Sequence, residues 1–450
     1  MIRGMVTLGL VLGVLSRPLL AQDAAPSAIA EPPPLEPASP GPAPATTPPV
    51  EPVMDLPATP APSIDSITLF PHQGELSENG LNDQRFGYVL HGDIRAMYES
   101  NIFISEHNPE DDFIFTIQPG LAFGWGEFKS ELYGPDSFRH RFERYVGKNY
   151  IFADYSPSYT WFATHGREDT FDHDARLEGE WTIRRLTLGV RARYLTENVA
   201  EADIGDRVEE RHLDVALTSR YDYSGKTSFE VNAFYSSLDY AGNRVDTREL
   251  RNEDWLNYQI APKTNLGVGG AVAYVDRSSG PSQTYQQGLG RVKYEATDKL
   301  TVSVTAGVEW RQTEDSTSRN DGIFQLDLAW APFNGTYFYF EAYRRAYNTG
   351  LEGSEYYFAT GLSFHYRQLV AQRFFFDLTG GYQNADYKDG PGSPDFGRND
   401  NEYFIRPGIG FDITTWLNCE ITGEYRRNDS NLDGRRFDER IVSVRFNLLH

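Results

Sequence analysis

The chain has 450 residues, a formal net charge of −22 and a pI near 4.8, a balance that argues against nucleic acid as a partner. Its single cysteine, Cys419, excludes any disulfide within the chain and reads as an apolar side chain on the same face as Leu417, Ile421 and Tyr425. Aromatic residues make up 14%, yet the mean hydropathy is −0.51, and past the N-terminus no apolar run reaches the ~20 residues of a spanning helix, which excludes a helical membrane protein.

Residues 1–21 read as a secretory signal peptide: Arg3 supplies the positive start, Met5 to Leu15 the apolar stretch, and Ala21 before Gln22 a small residue for cleavage. No cysteine stands at that point, so a lipoprotein is not expected. Within residues 22–84, 13 of the chain's 26 prolines fall between Pro32 and Pro62. Proline fixes φ and lacks a backbone donor, so this stretch is expected to be a disordered periplasmic segment of polyproline character, a spacer or a tether.

From residue 85 to 450 the pattern has period two. In Leu300-Thr301-Val302-Ser303-Val304-Thr305-Ala306 apolar and small polar residues alternate almost without fault, and Gly92 to Tyr98 does the same with charged partners. Successive side chains of a strand point to opposite faces, so this is β-structure. Strands are predicted near 85–98, 112–125, 149–162, 174–182, 185–195, 211–223, 227–239, 248–260, 264–275, 283–296, 299–311, 322–331, 335–346, 354–367, 371–384, 401–412, 415–427 and 437–449. The connections alternate in length. Arg184-Arg185, Ser224-Gly225-Lys226, Asp298-Lys299 and Asn334-Gly335 are short turns; Glu197 to Glu210, Gln312 to Asp321, Asp386 to Asp400 and Asn428 to Arg436 read as long acidic loops. Glu127 to Lys148 falls where a short turn is expected and reads as a charged insertion at one mouth. The fold class is therefore all-β: a transmembrane antiparallel up-and-down barrel of about 18 strands (16–20), with termini on the periplasmic side and long loops outside.

Several short motifs resemble a known family. Ser100-Asn101-Ile102-Phe103, Asp111-Asp112-Phe113-Ile114-Phe115 and Gln118-Pro119-Gly120-Leu121 are similar to the opening of the outer-membrane barrels described as "Putative beta-barrel porin 2". The strand Arg406-Pro407-Gly408-Ile409-Gly410-Phe411 and the ending Val442-Ser443-Val444-Arg445-Phe446 are similar too. The resemblance implies an outer-membrane barrel, some members of the group being associated with exopolysaccharide operons. It implies no catalytic residues.

Charges on a lipid face are costly, roughly 2–4 kcal/mol for an Arg or Lys at the midplane, so register turns them inward. The expected lumen lining is Arg95, Arg191, Arg193, Arg220, Glu309, Arg311, Glu341, Arg406, Glu420, Glu424, Arg426 and Arg445, with Asp93, Asp214, Arg291, Lys293 and Glu402 on the same side. They read either as a pore lining or as ion pairs that stiffen the wall. Asp429 to Gly434 matches the start of an EF-hand loop, but Arg440 stands where the bidentate Glu belongs. His165, Asp169, Asp172, His173 and Asp174 are a further metal-capable set in an acidic stretch; no metal or cofactor is expected. No Gly-x-Ser-x-Gly or His-Glu-x-x-His pattern is present, and no enzyme is expected. The functional expectation is a porin-like channel for small polar solutes. The alternatives are a component of exopolysaccharide export, which lumenal aromatics such as Phe404 would favour, and a structural barrel with a plugged lumen. Expected partners are outer-membrane lipid and lipopolysaccharide, the barrel assembly machinery and, on the export reading, polysaccharide.

Overall fold

The computed structural model describes residues 86–449 except 132–143, 243, 298, 315–317, 334, 372, 390–395 and 415. The expected signal peptide and Pro-rich segment lie outside the described residues, as does the middle of the expected insertion between Glu127 and Lys148. The described part is built from strands alone: β1 (Phe86–Glu99), β2 (Asp112–Glu131), β3 (Arg144–Tyr155), β4 (Ser158–Phe162), β5 (Thr170–Asp172), β6 (Asp174–Ile183), β7 (Leu186–Glu201), β8 (Asp206–Asp222), β9 (Thr227–Tyr240), β10 (Thr247–Ala261), β11 (Thr264–Arg277), β12 (Gln283–Thr297), β13 (Leu300–Thr313), β14 (Arg319–Trp330), β15 (Thr336–Asn348), β16 (Ser354–Ala371), β17 (Phe374–Asp389), β18 (Asn399–Asp412), β19 (Leu417–Ser430) and β20 (Phe437–Leu449).

Neighbours in sequence pair antiparallel, and β1 closes on β20 from His91↔Leu449 to Glu99↔Ile441. Two wall strands are broken. β3 and β4 flank Ser156-Pro157 and both pair with β2, at Leu121↔Tyr155 and Ile114↔Phe162. Pro157 has no N–H to give the ladder, which interrupts the strand there. β5 and β6 are likewise separated at His173. With each broken strand counted once, 18 strands form one closed sheet. Closure matters because every backbone N–H and C=O facing hydrocarbon must be paired, and a closed barrel has no edge.

The outer face is a greasy belt. Ile94, Leu121, Leu217, Val231, Val268, Val272, Ile409 and Val442 are exposed at mid-strand. Aromatic side chains ring both rims. Phe113, Tyr274, Trp310 and Tyr403 stand toward the ends where connections are longer; Tyr88, Trp125, Tyr221, Tyr258, Tyr294 and Trp330 stand at the ends with tight turns. Phe113 and Trp125 are 12 positions apart on β2. At ~3.3 Å per residue and a tilt of about 40°, that separates the girdles by roughly 30 Å along the barrel axis, close to a hydrocarbon slab. The described chain is a membrane-spanning β-barrel in contact with lipid.

One set of sequence expectations is corrected. The charged stretch Glu197 to Glu210 is not a long loop. β7 continues to Glu201 and β8 begins at Asp206, so only residues 202–205 turn. Period two persists through the charges: Val199, Glu201, Val208 and Glu210 are buried, while Asp206 and Glu209 are exposed. The strands outrun the membrane, and their projecting ends carry charge because both faces there meet water or other loops. The stretches 312–321, 386–400 and 428–436 shorten in the same way, with β13 reaching Thr313, β17 Asp389 and β19 Ser430.

Candidate functional site

The barrel interior is polar along its whole height. Asp93, Glu230, Glu253, Glu309, Asp327, Glu341, Asp377, Glu420 and Glu439 are all buried on inward-facing positions. Most of the twelve residues singled out from register form ion pairs. Arg191 meets Glu178 at 3.4 Å, Arg193 meets Asp174 at 3.2 Å, and Arg220 meets Asp222 at 3.0 Å. Glu309 and Arg311 pair at 2.8 Å, Glu341 and Arg345 at 3.9 Å, Arg406 and Glu424 at 2.7 Å, and Arg445 and Asp93 at 3.3 Å. Arg426 pairs with Glu402 and lies 3.7 Å from Glu439. Glu420 stands directly opposite Arg445, and Arg95 opposite the same arginine on the other side. The structure therefore brings these residues into local pairs around the wall rather than into one cluster.

Arg311 shows why the pairs hold. Its guanidinium lies between the rings of Tyr285 and Tyr356, 4.5 and 4.6 Å from their centroids, and donates to Gln283 Oε1 at 2.8 Å. A buried charge is tolerable only when paired and hydrogen-bonded, and this one is both. Phe404 faces inward with Arg406 and packs over Gly381.

The lumen is crossed near the rim that carries the longer connections. The tip of the β7–β8 hairpin, residues 202–205, folds inward. Gly205 makes the turn with φ of +73°, a left-handed value that suits glycine. With the broken strands counted once, β7 and β8 are the fifth and sixth of the wall, and β16 and β17 the fourteenth and fifteenth, half a circuit away. The tip reaches them. Asp203 accepts hydrogen bonds from Thr349 Oγ1 at 2.8 Å and from Gly350 N at 3.2 Å on the β15–β16 connection. Arg398, fully buried, donates to the carbonyls of Asp203 at 2.6 Å and Ala202 at 2.8 Å, pairs with Asp400 and lies 4.3 Å over the Tyr387 ring.

Other connections join the crossing. Arg207 bridges the tip to the β1–β2 connection through Ile102 O and Glu99 Oε1, both at 2.9 Å. Arg435 donates to Ile204 O. The β15–β16 connection is held from a third direction by Val245 N donating to Gly350 O at 3.0 Å and by Arg277 donating to Thr349 O at 3.4 Å. Leu351 inserts beside Tyr347, Tyr357 and Tyr387, so an apolar cluster backs the polar crossing. Burial pushes the Asp203 carboxyl above the usual carboxylate range, and Arg398, Thr349, Tyr387 and Gly350 offset only part of that. None of these crossing residues is apparent from composition; the available signal was the unbroken alternation through Val199, Glu201, Val208 and Glu210.

Space remains beside the crossing. A cavity of about 200 Å³ lies between β1, β2 and β6–β8, lined by Arg95, Glu99, Asp174, Arg193, Glu210 and Arg445 among others. A second, of about 90 Å³, lies against β10–β15 with Arg251, Glu309, Arg311 and Arg344 on its walls. The metal-capable residues noted in the sequence are not assembled. His165 is held between Asp112 and Glu110, both at 2.8 Å, which raise the imidazole above its ordinary range; Asp174 binds Arg176 and Arg193; Asp429 pairs with Arg427.

The family model "Putative beta-barrel porin 2" matches residues 272–449, from within β11 to the end of β20, and is the group the motifs resemble. No curated protein matches the chain. Among solved structures the barrel is similar to Acinetobacter baumannii OccAB4 (10% identity, 82% of this chain and 100% of that one, TM-score 0.43). It is also similar to Pseudomonas aeruginosa OccK11, also called OpdR (10%, 81% and 96%, 0.41), and to Pseudomonas aeruginosa OpdK with vanillate (10%, 81% and 99%, 0.42).

Proposed function

We propose that this barrel is a porin-like outer-membrane channel for small polar solutes, with its aperture set by the inward-folded β7–β8 tip and the β15–β16 connection. The observation that carries the reading is the contrast between faces: a continuous apolar belt outside, and an interior lined by paired Arg and carboxylate side chains that leaves polar cavities beside the crossing. Eighteen strands enclose more width than wall side chains alone fill, so water occupies what the loops leave open. Acidic and basic groups alternate around the wall, so the lumen discriminates only mildly between cations and anions. Transport, and not catalysis, is the activity assigned to it.

The rim with tight turns faces the periplasm and the rim with the crossing faces outside, the arrangement bacterial barrels share. Lipopolysaccharide and the barrel assembly machinery are the partners such a placement implies. The fullness of the crossing favours one second reading, a structural barrel that stays closed. Polysaccharide export would need a far wider passage and is the weaker of the two.

The test is solute flux. Full-length protein refolded into liposomes should admit small sugars and amino acids in a swelling assay. Swelling no faster than in empty liposomes, for neutral and charged solutes alike, would reject the channel reading in favour of the closed barrel.

A further inference from the structure

We infer that Glu197, Glu210 and His212 form a binding site for one divalent transition-metal ion of the zinc class on the inner wall, just beneath the β7–β8 tip. Glu197 and Glu210 are direct cross-strand partners on β7 and β8, and His212 follows Glu210 by two positions on the same face. His212 Nε2 lies 2.8 Å from Glu210 Oε2 and 3.8 Å from Glu197 Oε1. One donor atom from each residue lies within 4.8 Å of the others, so small side-chain adjustments bring all three to the ~2.0–2.2 Å bond lengths of a single ion. No other such grouping of three occurs among the described residues.

A second observation points to a ligand. Glu210 is 0% exposed, and its Oε1 has no hydrogen-bond partner. Two carboxylates facing each other across a strand pair repel, and burying one with an orphaned oxygen costs more still. Arg193 pairs with Asp174 and also acts on Glu197 through its charge, while Arg207 pairs with Glu99 and Arg426 with Glu402 and Glu439. A dication between Glu197 and Glu210 would turn that repulsion into coordination. The adjoining cavity of about 200 Å³, which all three side chains line, has room for the waters that complete the shell. One imidazole with two carboxylates suits zinc or manganese better than calcium, which takes six to eight oxygens. The site spans the hairpin whose tip crosses the lumen, so metal binding would stiffen that hairpin. The inference does not depend on the channel reading.

The experiment uses the full chain in detergent, stripped with EDTA, then titrated calorimetrically with ZnCl2 and separately with CaCl2. A single saturable zinc site is expected, weakened by more than about tenfold in His212→Ala and in Glu210→Gln and retained in Glu209→Gln, whose side chain faces outward. Calcium should bind far more weakly. Thermal unfolding supplies the second readout. In EDTA, Glu210→Gln should unfold at a higher temperature than wild type, because the like-charge contact is gone; with zinc the order should reverse. No zinc binding by wild type, or binding unchanged in both ligand variants, would overturn the inference. A lower unfolding temperature for Glu210→Gln in EDTA would do the same, since it would show that Glu210 is satisfied without a metal.

Discussion

At the residue scale the crossing hangs on Asp203. Its carboxylate takes hydrogen bonds from Thr349 and Gly350 while Arg398 grips the carbonyls beside it. Asp203→Ala removes the hydrogen bonds from Thr349, Gly350 and Tyr387 to a charged acceptor, a loss of about 2 kcal/mol or more, which shifts the tip roughly 30-fold toward release. Single-channel recordings should show longer open times. Acidity should act oppositely. The Asp203 carboxyl has a higher pKa in the docked tip than in water, because burial disfavours its charge. The docked state therefore takes up the proton first, and acid stabilises docking. That gain begins as pH falls through the raised pKa and is complete near the ordinary carboxylate value of about 4. Glu201 and Glu210 face the same space, Arg398 acts on Asp203 and Arg426 on Glu201, so Asp203→Asn is the control. Conductance should decline on acidification in wild type and decline less in that variant. An equal decline in both would assign the effect to other groups.

At the scale of elements, the strands were legible and the loops were not. Alternation such as Leu300 to Trp310 leaves one physical choice, and eighteen predicted segments correspond to eighteen wall strands. The misreading of Glu197 to Glu210 has a definite cause. Charge density suggests a loop, whereas a strand that leaves the membrane no longer needs an apolar outer face. Inward charges could be assigned from register, but their partners could not, because Arg311 between Tyr285 and Tyr356 joins three strands whose relative stagger only the closed sheet sets. The crossing was out of reach, since Asp203 and Thr349 meet across 146 positions with no local pattern to link them. The β15–β16 connection offers a sharp test. A Cβ on Gly350 would stand 2.7–2.8 Å from the Tyr240 ring, while one on Gly225 in the β8–β9 turn would meet open space. Gly350→Leu should expel the connection from the lumen and raise liposome swelling rates; Gly225→Leu should leave them unchanged. Equal rates in both variants would mean that this connection does not obstruct the path.

For the whole molecule, closure, two aromatic girdles and a charged interior describe a barrel that spans a membrane. Orientation can be read from intact cells. Arg436, on the β19–β20 connection, has 46% of its side chain exposed, whereas Arg398 is fully buried. Added trypsin should cut after Arg436 and spare the chain at Arg398; cleavage confined to the tight-turn rim, for example after Arg184, would invert the topology. The most direct measurement is single-channel conductance of the refolded full-length chain in planar bilayers, wild type beside the double variant Asp203→Ala/Arg398→Ala. The wild type should pass ions in discrete steps, and the double variant should show larger steps or longer openings, because the tip no longer spans the lumen. Silence from both, with each shown to be folded by its heat-dependent gel shift, would contradict a channel whose aperture the crossing sets.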